Sequence, residues 1–242
     1  MRPAPWLLFA LCTLVALPAF AWEPGDPVPE AIAPINAPFD MPQLQRPVFP
    51  DATYDIRDFG ARACAWDAAE RVLCTDAIRD AIDACHENGG GTVLVPPGEW
   101  ITGAVHLKSK VNLHVAESAV LHFSDDRKHF LPVVHVRHEG VEAYNYSPLV
   151  YAPNCEDVAL TGRGTLEGHG DAWWAWHRLP GHATDRTTAS GQPLDERQYG
   201  KGAGKEGMRP CMIVPWKSKN VLIEGVTLKD PPMWTVQPVY CE

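Results

Sequence analysis

The chain has 242 residues, enough for one sizeable domain with its own core. It is 45% hydrophobic and 21% charged, ordinary proportions for a soluble globular protein. The formal net charge of −9 argues against nucleic acid as the main partner, because phosphate binding needs a basic face. A polyanionic sugar held in a local basic groove stays possible.

Residues 1–21 have the form of an export signal. Arg2 supplies a short positive region, residues 6–17 (WLLFALCTLVAL) are apolar, and Ala19-Phe20-Ala21 fits a small-x-small cleavage site. The mature chain is expected to begin at Trp22 and to be secreted or periplasmic. The apolar run is shorter than the ~20 residues of a membrane span and is broken by Pro18, so no membrane anchor is expected. Residues 22–53 are Pro-rich without apolar periodicity and are read as an extended leader. The ordered domain should start near Tyr54, where YDIRDFGA (54–61) suggests a short strand and a turn.

Beyond Cys12 of the signal, six cysteines remain: Cys64, Cys74, Cys85, Cys155, Cys211 and Cys241. In an exported chain they permit disulfides, with Cys64 and Cys74 the best candidate pair. Free thiols buried as small hydrophobes are the equal alternative. No C-x-x-C occurs, which argues against a zinc ribbon or a thioredoxin-like site.

Residues 75–87 carry the clearest helical pattern. Ile78, Ala81, Ile82 and Cys85 fall on one face, Thr75 or its neighbour can cap the start, and Gly89, Gly90 and Gly91 end it. From Thr92 onward, short apolar runs recur between polar turns. Examples are TVLV (92–95), VNLHV (111–115), AVLHF (119–123), DVALTG (157–162) and NVLIEG (220–225). They are too short for helices and too closely spaced for strand–helix–strand units. VYAPNCEDVALTG (150–162) aligns without gaps on IVPWKSKNVLIEG (213–225), and SKVNLHV (109–115) repeats part of it. Such repeats point to a β-solenoid, in which neighbouring coils bury each other's apolar faces. A β-sandwich also strings short strands together. The helix leading into GGGTVLVPPGEW (89–100) favours the solenoid, whose first coil needs a cap.

Five segments in order then carry a more specific resemblance. They are TDAIRDAIDACHENGGGTVLVPPGEWITGAVHLKSKVNLHV (75–115), LHFSDD (121–126), EGVEAYNYSPLVYA (139–152), LTGRGTLEGHGDAWW (160–174) and RPCMIVPWKSKNVLIEGVTLKDPPMWTVQPVYCE (209–242). Together they resemble the polygalacturonase family, glycoside hydrolase family 28, over about residues 54–242. The resemblance implies an all-β, right-handed parallel β-helix with an N-terminal capping helix. It also implies inverting hydrolysis of pectin-type galacturonan polymers. That reaction needs an acid and a base on opposite faces of the sugar, far enough apart to admit water.

The family's catalytic motifs are Asn-Thr-Asp, Asp-Asp, Gly-His-Gly and Arg-x-Lys, and they follow the segment that matches 209–242. The chain is therefore expected to hold only the N-terminal coils, truncated before the catalytic motifs, with no catalytic residue of its own. It should be inactive alone and a monomer when full length. Asp125-Asp126 lies too early for the Asp-Asp motif and is read as a rim turn. Gly168-His169-Gly170 would reverse the motif order and is read as non-catalytic.

The candidate substrate-binding residues are Arg209, Trp234 and Gln237. Arg209 can pair with a uronate carboxylate or form a structural ion pair. Trp234 borders the expected groove or packs at a coil edge. Gln237 stands where many family members look to have His, a departure from the family's pattern. Trp173, Trp174 and Trp176 are read as packing over the solenoid rather than as a sugar platform. Residues 178–208 form a long loop, and its Lys201 and Lys205 with the adjoining Arg209 offer a basic lip. GKGAGKEG (200–207) lacks phosphate-loop spacing. No cofactor or metal is expected, since there is no H-E-x-x-H and His135 and His138 are read as lying in a loop without a partnered carboxylate. Two rival readings are a β-helix polysaccharide lyase and a non-catalytic sugar-binding solenoid.

Overall fold

The computed structural model describes residues 36–41, 44–175, 191–200 and 207–242. After β1 (Thr53–Asp55) and a short 3-10 turn, α1 spans Thr75–Glu87. A first coil follows, with β2 (Gly91–Val95), β3 (Gly98–Thr102) and β4 (Val105–His106). The second coil has β5 (Val111–Val115), β6 (Ala119–Phe123), a hairpin of β7 (Val134–His138) and β8 (Val141–Asn145), then β9 (Val150–Pro153). The third has β10 (Glu156–Gly162), β11 (Thr165–Glu167), the short α2 (Asp171–Trp174) and β12 (Ile213–Trp216). The fourth has β13 (Lys219–Glu224) and β14 (Thr227–Lys229), and returns through bridges from Val236 to Ile213 and from Val239 to Trp216.

The strands stack into three parallel sheets: sheet A (β1-β2-β5-β10-β13), sheet B (β3-β6-β11-β14) and sheet C (β4-β9-β12). This is a parallel β-helix, as the repeats suggest. The repeat alignment is also the coil register. Val150 faces Ile213 and Val158 faces Val221, one constant step of 63 residues. The polar turns inside the repeat are corner residues with left-handed backbone: Asn154 and Lys217 at one position, Asp157 and Asn220 at the next. Asn and Asp adopt that conformation more readily than other side chains, which is why the turns read as polar.

Alternation along each strand sends one set of side chains inward. Val93, Leu113 and Leu160 form one stacked column of sheet A, and Trp100, Leu121 and Leu166 one of sheet B, all essentially buried. Each such side chain contributes about 1.5–3 kcal/mol of burial. At the N-terminal end α1 lays Ala77, Ile78, Ala81, Ile82 and Cys85 on this core. Cys74 occupies the cap position of α1 without a side-chain capping bond to the helix, while the hydroxyl of Thr75 accepts from the backbone N–H of Gly103 at 2.7 Å. The turn after the helix runs through Gly89 and Gly90, both with positive φ.

The Cys64–Cys74 pair does not form, and all six described cysteines are free. Cys74 Sγ points into the core toward the Ile101 carbonyl at 3.2 Å, while Cys64 Sγ faces the carbonyls of Ala65 and Glu70. The alternative of buried free thiols describes Cys74, Cys85, Cys155 and Cys211. Trp173 is fully buried, edge-on to Phe130 and Tyr146, as packing predicts. The signal segment, Trp176, Lys201 and Lys205 lie outside the described residues.

Candidate functional site

Two insertions leave the solenoid at the same corner, between sheet B and sheet C. The first is the β7–β8 hairpin. Its two strands pair antiparallel from Val134↔Asn145 to His138↔Val141, joined by Glu139 and Gly140 with φ of 47° and 89°. Two positive φ values in a two-residue loop are the geometry that matches strand twist. The second insertion adds on to it: Tyr144 N–H donates to the Arg197 carbonyl and Tyr199 N–H to the Tyr144 carbonyl, both at 2.8 Å. The result is a wall beside sheet C. Its inner side is sealed by a small second core of Tyr151, Val214, Trp216 and Val239, against which Val134 packs.

This corrects the expectation that His135 and His138 sit in a loop without a carboxylate. Both are strand residues, and the register places Glu142 on the facing strand. His135 Nε2 lies 2.7 Å from Glu142 Oε2, and its ring packs on Tyr144 and Trp216. Tyr240, from the fourth coil, donates its hydroxyl to Glu142 Oε1 at 2.5 Å. The Tyr240 bond, helped by His135, holds the Glu142 carboxyl below its ordinary range against the opposing effect of burial. Arg137 on β7 places its guanidinium 5.6 Å from the Tyr240 ring centre. The local signal for this hairpin is present in VHVRHEGVEAY (134–144): two alternating runs around a two-residue Glu-Gly turn. The pairing of the wall with Tyr240 has no local signal, because the partners are 98 residues apart.

Arg209 and Gln237 are brought together under this wall. They line a cavity of about 10 Å3 with His138, Asn145 and Tyr146. That is about the room one water needs and far too little for a sugar ring. Gln237 donates to the Arg137 carbonyl at 2.8 Å, tying the fourth coil to the hairpin. Arg209 donates through Nη1 to the Pro232 carbonyl at 3.0 Å, and its buried Nε has no hydrogen-bond partner among the described residues. Trp234 lies elsewhere on the fourth coil. Its backbone carbonyl accepts from Met212 N–H, and its side chain is 48% exposed.

The two look-alike motifs have structural work. Asp125 accepts from Arg71 Nη1 through both carboxylate oxygens, and Asp126 accepts from the backbone N–H of Lys128 to start a 3-10 turn. Gly168 and Gly170 lie where the fourth coil crosses closely. A Cβ on either would come within 2.6 Å of the Asp230 carbonyl or 2.4 Å of the Pro231 carbonyl oxygen. Between them His169 stacks on Trp66 with ring centres 3.5 Å apart and shares a hydrogen bond with His122 at 3.0 Å. Burial lowers the affinity of both imidazoles for a proton, although Glu99 and Glu167 pull the other way. Burial works against ionisation of Glu167, but Lys229 at 2.7 Å, together with His169, brings its carboxyl below the ordinary range.

No family model matches the chain. It is 30% identical over 179 residues to a probable polygalacturonase from Vitis vinifera, a match covering 70% of this chain and 32% of that protein. A shorter stretch of 66 residues, 24% of this chain and 7% of the relative, is 41% identical to alginate lyase 7 of Azotobacter vinelandii. Among solved structures, a hyperthermoactive exopolygalacturonase from Thermotoga maritima aligns with a TM-score of 0.72 and 37% identity, over 82% of this chain and 46% of that one. The chain thus spans about a third to a half of the length of these two polygalacturonases.

Proposed function

We propose, from the premise that this chain is a polygalacturonase-like parallel β-helix of glycoside hydrolase family 28, that it is the N-terminal part of an exported glycosidase. The whole protein would cleave pectin-type galacturonan polymers by inverting hydrolysis and act as a monomer. The acid and base of that reaction would lie on coils that this stretch does not contain. Asp125, Asp126 and His169, the residues here that most look like catalytic ones, are each engaged in a structural contact.

The observation that carries the reading is the wall beside sheet C. Its rim presents an exposed cation, Arg137, beside the exposed aromatic ring of Tyr240. Aromatic faces suit the C–H faces of a sugar, and a guanidinium suits a uronate carboxylate. In this reading Trp234 borders the substrate groove, and Arg209 and Gln237 act from beneath by fixing the fourth coil to the wall. The signal at residues 1–21 would direct the protein out of the cytoplasm.

The experiment is an assay of the full-length protein and of the 242-residue chain on polygalacturonate. The full-length protein should release reducing ends, with the product anomer inverted when followed by NMR, and the chain alone should release none. Robust release by the chain alone would overturn the placement of the acid and base. The alginate-lyase stretch supports one rival reading, cleavage by β-elimination. An unsaturated, ultraviolet-absorbing product from the full-length protein would establish it in place of hydrolysis.

A further inference from the structure

The leader is anchored where its composition alone would not place it. Thr53 pairs with Thr92 at the first edge of sheet A, yet Arg46, seven residues earlier, is ion-paired through both guanidinium nitrogens with Glu224 on β13. From β1 to β13 is four strand spacings, about 19 Å at ~4.8 Å each. Seven extended residues reach about 23 Å at ~3.3 Å each, so the segment has little slack. Residues 44–50 therefore run along the solenoid axis, across the strands, as a strap over the outer face of sheet A. Pro47 and Pro50 hold it extended.

Strap and sheet enclose a cleft of about 510 Å3, within the ~300–1,000 Å3 usual for small-molecule sites. Phe49 and Pro47 form its roof, and Leu222 adds an apolar patch on the floor. A hydrogen-bond chain fixes the polar part of that floor. Thr161 donates its only hydroxyl proton to Asn112 Oδ1 at 2.8 Å, so it accepts from His114 Nδ1–H at 3.0 Å. The neutral imidazole then carries its proton on Nδ1, leaving Nε2 as an acceptor. Nε2 makes no hydrogen bond within the described residues. Burial disfavours protonation of His114, in keeping with that tautomer. Of the charged groups lining the cleft, Arg46 and Arg163 balance Glu117 and Glu224.

A cleft with no net charge, closely spaced donors and acceptors, and an apolar roof fits an uncharged sugar. We propose that the strap cleft of sheet A is a binding site for one or two neutral sugar units, separate from the groove beside sheet C. Sugar hydroxyls donate to His114 Nε2 and to the Glu117 carboxylate, the Arg163 guanidinium donates to ring or hydroxyl oxygens, and Phe49 covers the C–H face. A uronate is disfavoured because its carboxylate would unbalance a cleft whose charges already cancel.

The test titrates the purified chain with galactotriose, arabinotriose and trigalacturonate, followed by calorimetry and by NMR of the His114 ring. At least one neutral trisaccharide should bind and shift the His114 signals. His114→Asn retains a donor to Thr161 and removes the Nε2 acceptor, so it should weaken binding tenfold or more. Phe49→Ala, on the strap and outside the sheet, should weaken it similarly while the folded NMR spectrum is retained. Failure of both neutral sugars to bind, unchanged affinity in both variants, or tighter binding of trigalacturonate in the same cleft overturns the proposal. Hydrolysis by the full-length Phe49→Ala protein tests the other reading separately, since the strap lies on a different sheet from the wall.

Discussion

Replacing Gly162 by alanine puts the coil geometry to a direct test. Gly162 ends β10 at the corner between sheets A and B, with φ of +111°, and faces Val115 of the preceding coil. An alanine there meets two costs. The left-handed backbone costs an L-residue about 1–2 kcal/mol. Its Cβ would also sit 2.0 Å from the Val115 carbonyl oxygen and 2.7 Å from the carbonyl carbon. Those are main-chain atoms held in place by the bond from Gly164 N–H to the Val115 carbonyl at 3.0 Å, so no side chain can swing aside. Forcing coils apart in a packed solenoid is overpacking, worth about 1–3 kcal/mol. The total is about 2–5 kcal/mol.

Gly140→Ala is the control. It has φ of +89° at the tip of the hairpin, and nothing lies within 4 Å of its added Cβ. It should cost only the backbone share, about 1–2 kcal/mol. Urea denaturation of the wild-type chain and both variants, with equal m-values, gives the two differences. If Gly162→Ala costs no more than Gly140→Ala, the close approach of the coils at this corner is wrong and the argument fails. Gly225, one repeat later with φ of +81° and the Gly162 carbonyl oxygen 2.4 Å from its added Cβ, should behave as Gly162 does.

Three further outcomes are expected. Burial raises the thiols of Cys74 and Cys211 to about 12 and those of Cys85 and Cys155 to about 11, so native alkylation near neutral pH should label the half-buried Cys64 and Cys241 first. Equal labelling of all six would refute it. Burial holds His106, His114, His122, His129 and His169 below the usual imidazole value. The folded chain then binds fewer protons than the unfolded one, so stability should fall as pH drops below about 6.5. A urea midpoint that rises between pH 7 and pH 5 would contradict this. A double-mutant cycle on Arg46 and Glu224, both partly exposed, should give a coupling of about 0.2–1 kcal/mol that shrinks with added salt. No coupling would mean the strap is not fastened there.

The helix at 75–87 was legible because its signal is local: one apolar face at helical spacing, ended by glycines. The coil register was legible for a related reason. Each corner needs a residue that tolerates a left-handed backbone, so Asn154 and Asp157 answer Lys217 and Asn220, and Gly162 answers Gly225. A repeating structure writes its period into the chain. The hairpin is locally encoded too, in two alternating runs around Glu139-Gly140, but the pairing of His135 with Glu142 depends on the two strands folding back on each other.

The candidate site was legible only in part. Trp234 and Gln237 lie on the fourth coil, and Arg209 on the segment entering β12. Whether each faces a groove or a neighbour was decided by packing. Gln237 spends its amide on Arg137, 100 residues away, and Arg209 spends its guanidinium on Pro232. The strap has no destination legible in its own composition, because its anchor Glu224 lies 178 residues further along the chain. By itself the sequence determined what repeats: strand length, turn position, inward column and capping helix, all governed by the backbone and by neighbours a few residues away. Only the tertiary structure decided which insertions meet at one corner and what lies over each sheet, because those contacts depend on coils stacked from distant parts of the chain.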